Sequence, residues 1–265
     1  MSTASAQVNG CRMSFVDAGV RAPLLLVHGF PVDGGVWEPQ VKAFSPTRRV
    51  IAPDLAGFGA SGSVGRRTMA EHGDDMISLV DTLGIGSVVV VGLSMGGYIA
   101  FSMWRRHRER IAALALVDTR AGADTQEQRA AGSELALAVE AGGMEAVAGR
   151  IVPPLLSPGA RRAAVEGVGR MVMRQRPSTA AAALKAMAAR QDATPLLATI
   201  DVPVLVAVGA IDTVTPPDEA QLMADAIPNA RLVMVPRAGH LASFEEPGAF
   251  NGALRAFLES VDAAG

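Results

Sequence analysis

The 265-residue chain has one cysteine, Cys11. No intrachain disulfide can form, and metal sites built from several cysteines are excluded. A reducing, cytoplasmic setting is the default expectation. Long apolar runs are missing as well. Stretches such as Leu24–Val27 and Val88–Val91 fall far below the ~18 residues that a membrane helix needs. The first residues, Met1 to Asn9, are polar and small, without a charged start or an apolar run, which argues against a secretory signal. Neither sign of charge dominates: 24 Lys and Arg stand against 26 Asp and Glu, for a net charge of −2. No basic stripe points to nucleic acid and no acidic tail to a polyanion mimic. Apolar residues are abundant, at 49% hydrophobic against 19% charged. A sizeable core follows, and the length fits one large domain or one domain with an insertion.

Six short apolar runs punctuate the chain: Leu24–Val27, Arg49–Ala52, Ser87–Val91, Ile111–Val117, Val202–Val208 and Ala230–Val235. Continuous runs of this length mark strands buried on both faces, as in a parallel sheet. Asn9-Gly10, between alternating segments, reads as a hairpin turn ahead of them. Helical patterns lie between the runs. Thr68 to Leu83 places Met69, Met76, Ile77, Val80 and Leu83 near one face. Met95 to His107, Pro216 to Ala226 and Glu246 to Val261 complete the set. This alternation predicts an α/β fold with helices on both faces of the sheet.

The segment 121–190 breaks the rhythm. It shows no strand run, holds 19 alanines in 70 residues, and is cut by Gly142-Gly143, Pro153-Pro154, Pro158-Gly159 and Pro177 into about four helices. Its nine basic and six acidic residues make it +3, and it contains no aromatic residue. It reads as a helical cap inserted into a core of residues 1–120 and 191–265; a helical hairpin packed beside the sheet is the plainer alternative.

The strongest local signal is Gly92-Leu93-Ser94-Met95-Gly96-Gly97, where a buried strand meets a helix. G-x-S-x-G in that setting is a nucleophile elbow: small neighbours permit a tight turn that lifts the Ser94 hydroxyl clear of the backbone. A serine needs a base to take its proton. Of the four histidines, His28 ends a strand well before the elbow and His72 sits within a helix. His107 lies thirteen residues past Ser94, roughly 20 Å along the helix at ~1.5 Å per residue. His240, just past the last strand, remains. The acid that orients it comes in chain order between serine and histidine. Asp212 follows the fifth run and is favoured; Asp118, after the fourth, is the fallback, its other roles being a cap to the insertion or a partner for Arg120. An oxyanion needs two backbone donors; the N–H of Met95, after the nucleophile, and that of Phe30, in His28-Gly29-Phe30, are the candidates.

Taken in order, His28-Gly29-Phe30-Pro31, Asp54 to Ser61, the elbow, Gly209 to Asp212 and Gly239-His240 resemble the α/β-hydrolase fold family over nearly the whole chain. The resemblance implies an eight-stranded, mostly parallel sheet with a helical cap after the sixth strand, and Ser94, Asp212 and His240 as a triad. Val36 to Gln40, the elbow, Arg105 to Arg110 and Leu116 to Thr119 further resemble the 3-oxoadipate enol-lactonase-like branch. A serine nucleophile sets aside the haloalkane- and epoxide-opening branches, which use aspartate.

The expected activity is therefore hydrolysis of small carboxylic esters or lactones through an acyl-enzyme on Ser94, with a small-molecule substrate and neither metal nor organic cofactor. The same triad acting on a carbon–carbon bond of a vinylogous diketone, or in perhydrolysis, stays open, as does a ligand receptor built on the fold. For substrate contacts, Trp37 either walls the pocket or staples its helix to the sheet. Arg120 either grips a substrate carboxylate or pairs with Asp118 or Asp124. Met95, Met144, Met171, Met173 and Met187 either line a pliable pocket or fill helix cores.

Overall fold

A computed structural model describes residues 3–63, 65 and 67–264; Met1 and Ser2, which open the polar N-terminal stretch, lie outside the described residues. Strands β1 (Thr3–Val8), β2 (Cys11–Ala18), β3 (Pro23–Val27), β4 (Arg49–Pro53), β5 (Val88–Leu93), β6 (Ile111–Val117), β7 (Val204–Gly209) and β8 (Ala230–Val235) form one sheet in the order β1-β2-β4-β3-β5-β6-β7-β8. β1 and β2 run antiparallel through a hairpin in which Val8 faces Cys11, with Asn9 and Gly10 both at positive φ, as the Asn-Gly pair predicts. β2 is antiparallel to β4, and every remaining pairing is parallel.

The central strands read as continuous apolar runs because both faces are covered. Leu24 and Leu26 enter one core while Leu25 and Val27 enter the other, and Val89 and Val91 alternate with Val88 and Val90 in the same way. Helices α1 (Glu38–Phe44) and α10 (Pro247–Ala264) cover the first face; α2 (Met69–Thr82), α3 (Met95–His107) and α8 (Pro217–Ala226) cover the second. α2 begins with a complete capping box, Thr68 and Glu71 each bonding the other's backbone N–H.

Between β6 and β7 the chain is helical: α4 (Gln126–Gly142), α5 (Ala148–Ile151), α6 (Arg162–Met173) and α7 (Pro177–Ala188). α4 also starts with a capping box, Thr125 with Gln128. This segment is fastened to the loops that follow the strands. Arg174 forms an ion pair with Asp33, the Arg176 guanidinium donates to the Gly57 carbonyl at 2.6 Å, and the Leu241 N–H donates to the Leu155 carbonyl at 3.0 Å. The short helix α9 (Ala242–Glu245) lies beside that last contact. Cys11 is buried and its thiol donates to the Gly62 carbonyl at 3.1 Å. Among the described residues no helix is long and apolar enough to cross a membrane.

Candidate active site

Ser94 sits between β5 and α3 with φ 52° and ψ −113°, a left-handed conformation that costs a non-glycine residue of order 1–3 kcal/mol. The turn closes because Gly92 and Gly96 carry no side chain. A Cβ at Gly92 would strike the Gly96 carbonyl, and one at Gly96 would strike the Val27 carbonyl of β3. The Ser94 N–H donates to the Val117 carbonyl at 2.8 Å and its carbonyl accepts from the Thr119 hydroxyl at 2.8 Å, so β6 holds the elbow in place.

His240 lies on the loop after β8, 1% exposed, with its Nε2 2.8 Å from Ser94 Oγ and its Nδ1 2.8 Å from Asp212 Oδ2. A carboxylate only accepts, so Nδ1 carries the proton and Nε2 is left to accept from the serine hydroxyl. Asp212, in the loop after β7, is itself fixed. Its Oδ1 accepts from the Val214 and Thr215 N–H groups at 2.8 and 3.0 Å, and its Oδ2 accepts from the Thr215 hydroxyl at 2.8 Å. Burial alone would raise the Asp212 pKa; the bond to His240, the histidine's charge and the two Thr215 donors outweigh it and hold the carboxyl below its ordinary value. Thr215 is a contributor that the sequence reading did not name. Its position three residues after an aspartate, in a turn, is a local signal that could have found it.

The other histidines lie elsewhere. His28 accepts from the Leu55 N–H through Nε2 and donates to the Gly29 carbonyl through Nδ1. His72 is buried in α2, and His107 meets Asp74. Asp118 is neither an acid beside His240 nor a partner of Arg120. It is fully buried, and its carboxylate accepts from the Gly209 N–H at 2.8 Å and the Ala242 N–H at 3.0 Å. It thus ties the end of β7, which leads to Asp212, to the loop that carries His240. Burial, with the nearby Asp212 charge, pushes its carboxyl well up. A second buried carboxylate, Glu245, accepts from the N–H groups of Gly239 and Ser157 at 2.9 and 3.0 Å and clasps the histidine loop to the helical segment.

The N–H groups of Phe30 and Met95 donate to no described residue. Phe30 and Ser94 line one cavity of about 350 Å³, together with His240 and, from the helical segment, Leu135, Leu155 and Leu184. Trp37 does not line it, and that expectation is corrected: the ring is 0% exposed and packs against Phe250 at 6.4 Å between α1 and α10. The sequence placed Trp37 at a helix start but did not say which way that start faced. Met187 reaches the cavity, whereas Met95, Met144 and Met171 are buried in the cores and Met173 is exposed. Arg120 lines the cavity and its guanidinium donates to Asp124 at 2.6 Å. Asp124, which the sequence offered as a partner for Arg120, also lines it, as do Tyr98, Arg150 and Arg190, which were not singled out. Tyr98, one helical turn after Ser94 on the same face, was within reach of spacing arguments; Arg190, stacked 4.1 Å over its ring, was not.

An eight-stranded, mostly parallel sheet with helices on both faces and a serine at its elbow defines a hydrolase fold. Residues 24–253 match the alpha/beta hydrolase family, and the chain belongs to that family. A thermophilic esterase from Thermogutta terrifontis, solved with malate bound, is 37% identical, covers 98% of this chain and 99% of its own, and superposes with a TM-score of 0.94. The enol-lactonase from Burkholderia xenovorans LB400 is 28% identical over 97% of this chain and 100% of its own, with a TM-score of 0.90. The 3-oxoadipate enol-lactonase 2 of Acinetobacter baylyi is 28% identical over 242 residues, 90% of this chain and 89% of that protein.

Proposed function

We propose that this protein hydrolyses small carboxylic esters or lactones by acyl transfer to Ser94. One observation carries the reading: a single hydrogen-bonded series runs from Ser94 Oγ to His240 Nε2 and from His240 Nδ1 to Asp212, with 2.8 Å at each step. In this arrangement His240 takes the serine proton as Oγ attacks the carbonyl carbon. Asp212 stabilises the imidazolium that forms and keeps its ring in register. The negative charge on the carbonyl oxygen falls to the N–H groups of Phe30 and Met95, helped by the positive end of α3. His240 returns its proton to the departing alcohol oxygen, then draws one from water as that water attacks the acyl-enzyme; the acyl C–Oγ bond breaks, His240 gives that proton to Ser94 Oγ, and the free acid leaves. The helical segment between β6 and β7 serves as a cap: its leucines shield the acyl group from bulk water. No step calls for a metal or an organic cofactor.

The test is turnover of a short-chain 4-nitrophenyl ester. Ser94→Ala is expected to abolish it in a folded protein. Turnover at the unmodified rate would overturn the proposal.

A further inference from the structure

The cavity over Ser94 holds more positive charge than hydrolysis of a neutral ester uses. Its lining includes Arg120, Arg150 and Arg190 but one carboxylate, Asp124. Arg150 is accounted for at the surface, where it meets Glu134 at 3.1 Å. Arg120 and Arg190 share Asp124: its Oδ1 accepts from Arg120 Nη2 at 2.6 Å and from Arg190 Nη1 at 2.5 Å. The two guanidinium side chains are only 13% and 4% exposed, so a cluster with a net charge of +1 lies largely out of water. Such a charge is costly unless something neutralises it.

The two arginines differ in how much of their capacity is spent. Arg190 has both terminal nitrogens bonded, and only its buried Nε is without a partner. Its Nη1 also donates to the Met187 carbonyl at 2.9 Å, its Nη2 donates to the Gly122 carbonyl at 2.7 Å, and its plane lies on the Tyr98 ring. Arg120 bonds Asp124 through Nη2 and has the Tyr98 hydroxyl beside it; its Nε is buried without a partner, and its Nη1 is not sealed by neighbouring atoms. It is also placed for a role at the reaction centre. It follows Thr119, whose hydroxyl is bonded to the Ser94 carbonyl, so its backbone starts next to the nucleophile's elbow. Asp124 takes Nη2 and Nε is buried, so Nη1 is the guanidinium nitrogen left to the cavity.

Building on the proposed ester and lactone hydrolysis, we infer that Arg120 binds a free carboxylate carried by the substrate. The favoured substrates are then esters or lactones with a second, unesterified carboxyl group, of which half-esters of dicarboxylic acids are the simplest. The carboxylate brings the cluster to two cations and two anions, and the Arg120 Nη1 group donates to it in charge-assisted hydrogen bonds. The reacting carbonyl and the triad chemistry are unchanged; the arginine selects the substrate and orients it.

The test uses two esters of matched length, the mono-4-nitrophenyl ester of glutaric acid and 4-nitrophenyl valerate, which differ by one carboxylate. The wild-type protein is expected to favour the half-ester in kcat/KM by about 10- to 100-fold, the factor a charge-assisted hydrogen bond supplies. That preference shrinks as salt screens the charge. In Arg120→Met the ratio of the two kcat/KM values falls at least tenfold, mainly through KM for the half-ester, and Arg120→Lys restores part of it. A wild-type ratio at or below one at low salt overturns the inference, as does an unchanged ratio in folded Arg120→Met. If that variant does not fold, the wild-type ratio and its salt dependence decide alone. Ser94→Ala separates the two levels of the argument. Hydrolysis of both esters surviving in that variant sinks the ester-hydrolase reading itself, whereas Ser94-dependent hydrolysis without preference for the half-ester sinks only the role of Arg120.

Discussion

Replacing Asp212 by asparagine is expected to disable the base without disturbing the fold, and the hydrogen bonds around it say why. Asp212 Oδ1 accepts two backbone N–H groups, from Val214 and Thr215. An asparagine must keep its carbonyl oxygen on that pair, because turning the amide would set N–H against N–H. Its NH₂ then replaces Oδ2 and faces His240 Nδ1, 2.8 Å away in the native protein. Nδ1 can now only accept, so the imidazole proton moves to Nε2 and points at Ser94 Oγ. The nitrogen that should take the serine proton already holds one. The same change of tautomer in a serine protease lowers kcat by ~10⁴, and a loss of that order, about 5.5 kcal/mol of transition-state stabilisation, is expected here. The assay is kcat for a 4-nitrophenyl ester in wild type and Asp212→Asn, with far-ultraviolet circular dichroism to confirm folding. A loss of less than tenfold in a folded variant would refute the reasoning.

Two further outcomes concern stability. His72 is buried in α2, and burial first, then the nearby charges of His28 and Arg67, lower its pKa to about 3 from 6.5. A histidine whose folded pKa is depressed contributes stability above its unfolded pKa, and that stability is lost as pH falls from about 6.5 toward 3. At pH 5 the loss is about 2 kcal/mol, set almost wholly by the unfolded chain taking up the proton. The difference in unfolding free energy between pH 7 and pH 5, read from urea titrations, should therefore be about 2 kcal/mol smaller in His72→Leu than in wild type; equal differences would refute it. Gly96→Ala forces a methyl into the Val27 carbonyl and is expected to cost about 3 kcal/mol in the same assay, while an unchanged midpoint would show that the elbow can relax.

Much of the fold was legible because local rules govern it. The apolar runs ending at Val91, Val117 and Val208 became buried parallel strands, since a strand covered on both faces cannot alternate. Asn9-Gly10 made its hairpin because both residues accept positive φ. Ser94, His240 and Asp212 were readable from chain order and from what ends each strand. Side-chain direction at a helix start was not. Trp37 faces α10 and not the cavity because Phe250, more than two hundred residues away, completes its packing. The bonds of Asp118 to Gly209 and Ala242, of Glu245 to Ser157 and of Arg190 to Asp124 are likewise contacts across 66 to 124 residues, which no local period encodes. The +3 charge of the helical segment hinted at cations near the site without saying which of them face it.

The most direct test of the convergence at Ser94 is its rate of covalent labelling. The protein is treated with a 4-nitrophenyl alkylphosphonate, and the adduct is located by peptide mass spectrometry. A single adduct is expected on the peptide containing Ser94, absent in Ser94→Ala and formed at least a thousandfold more slowly in His240→Gln, because the base that activates the hydroxyl is gone. Labelling of another residue, or of Ser94 at the wild-type rate in folded His240→Gln, would contradict the account.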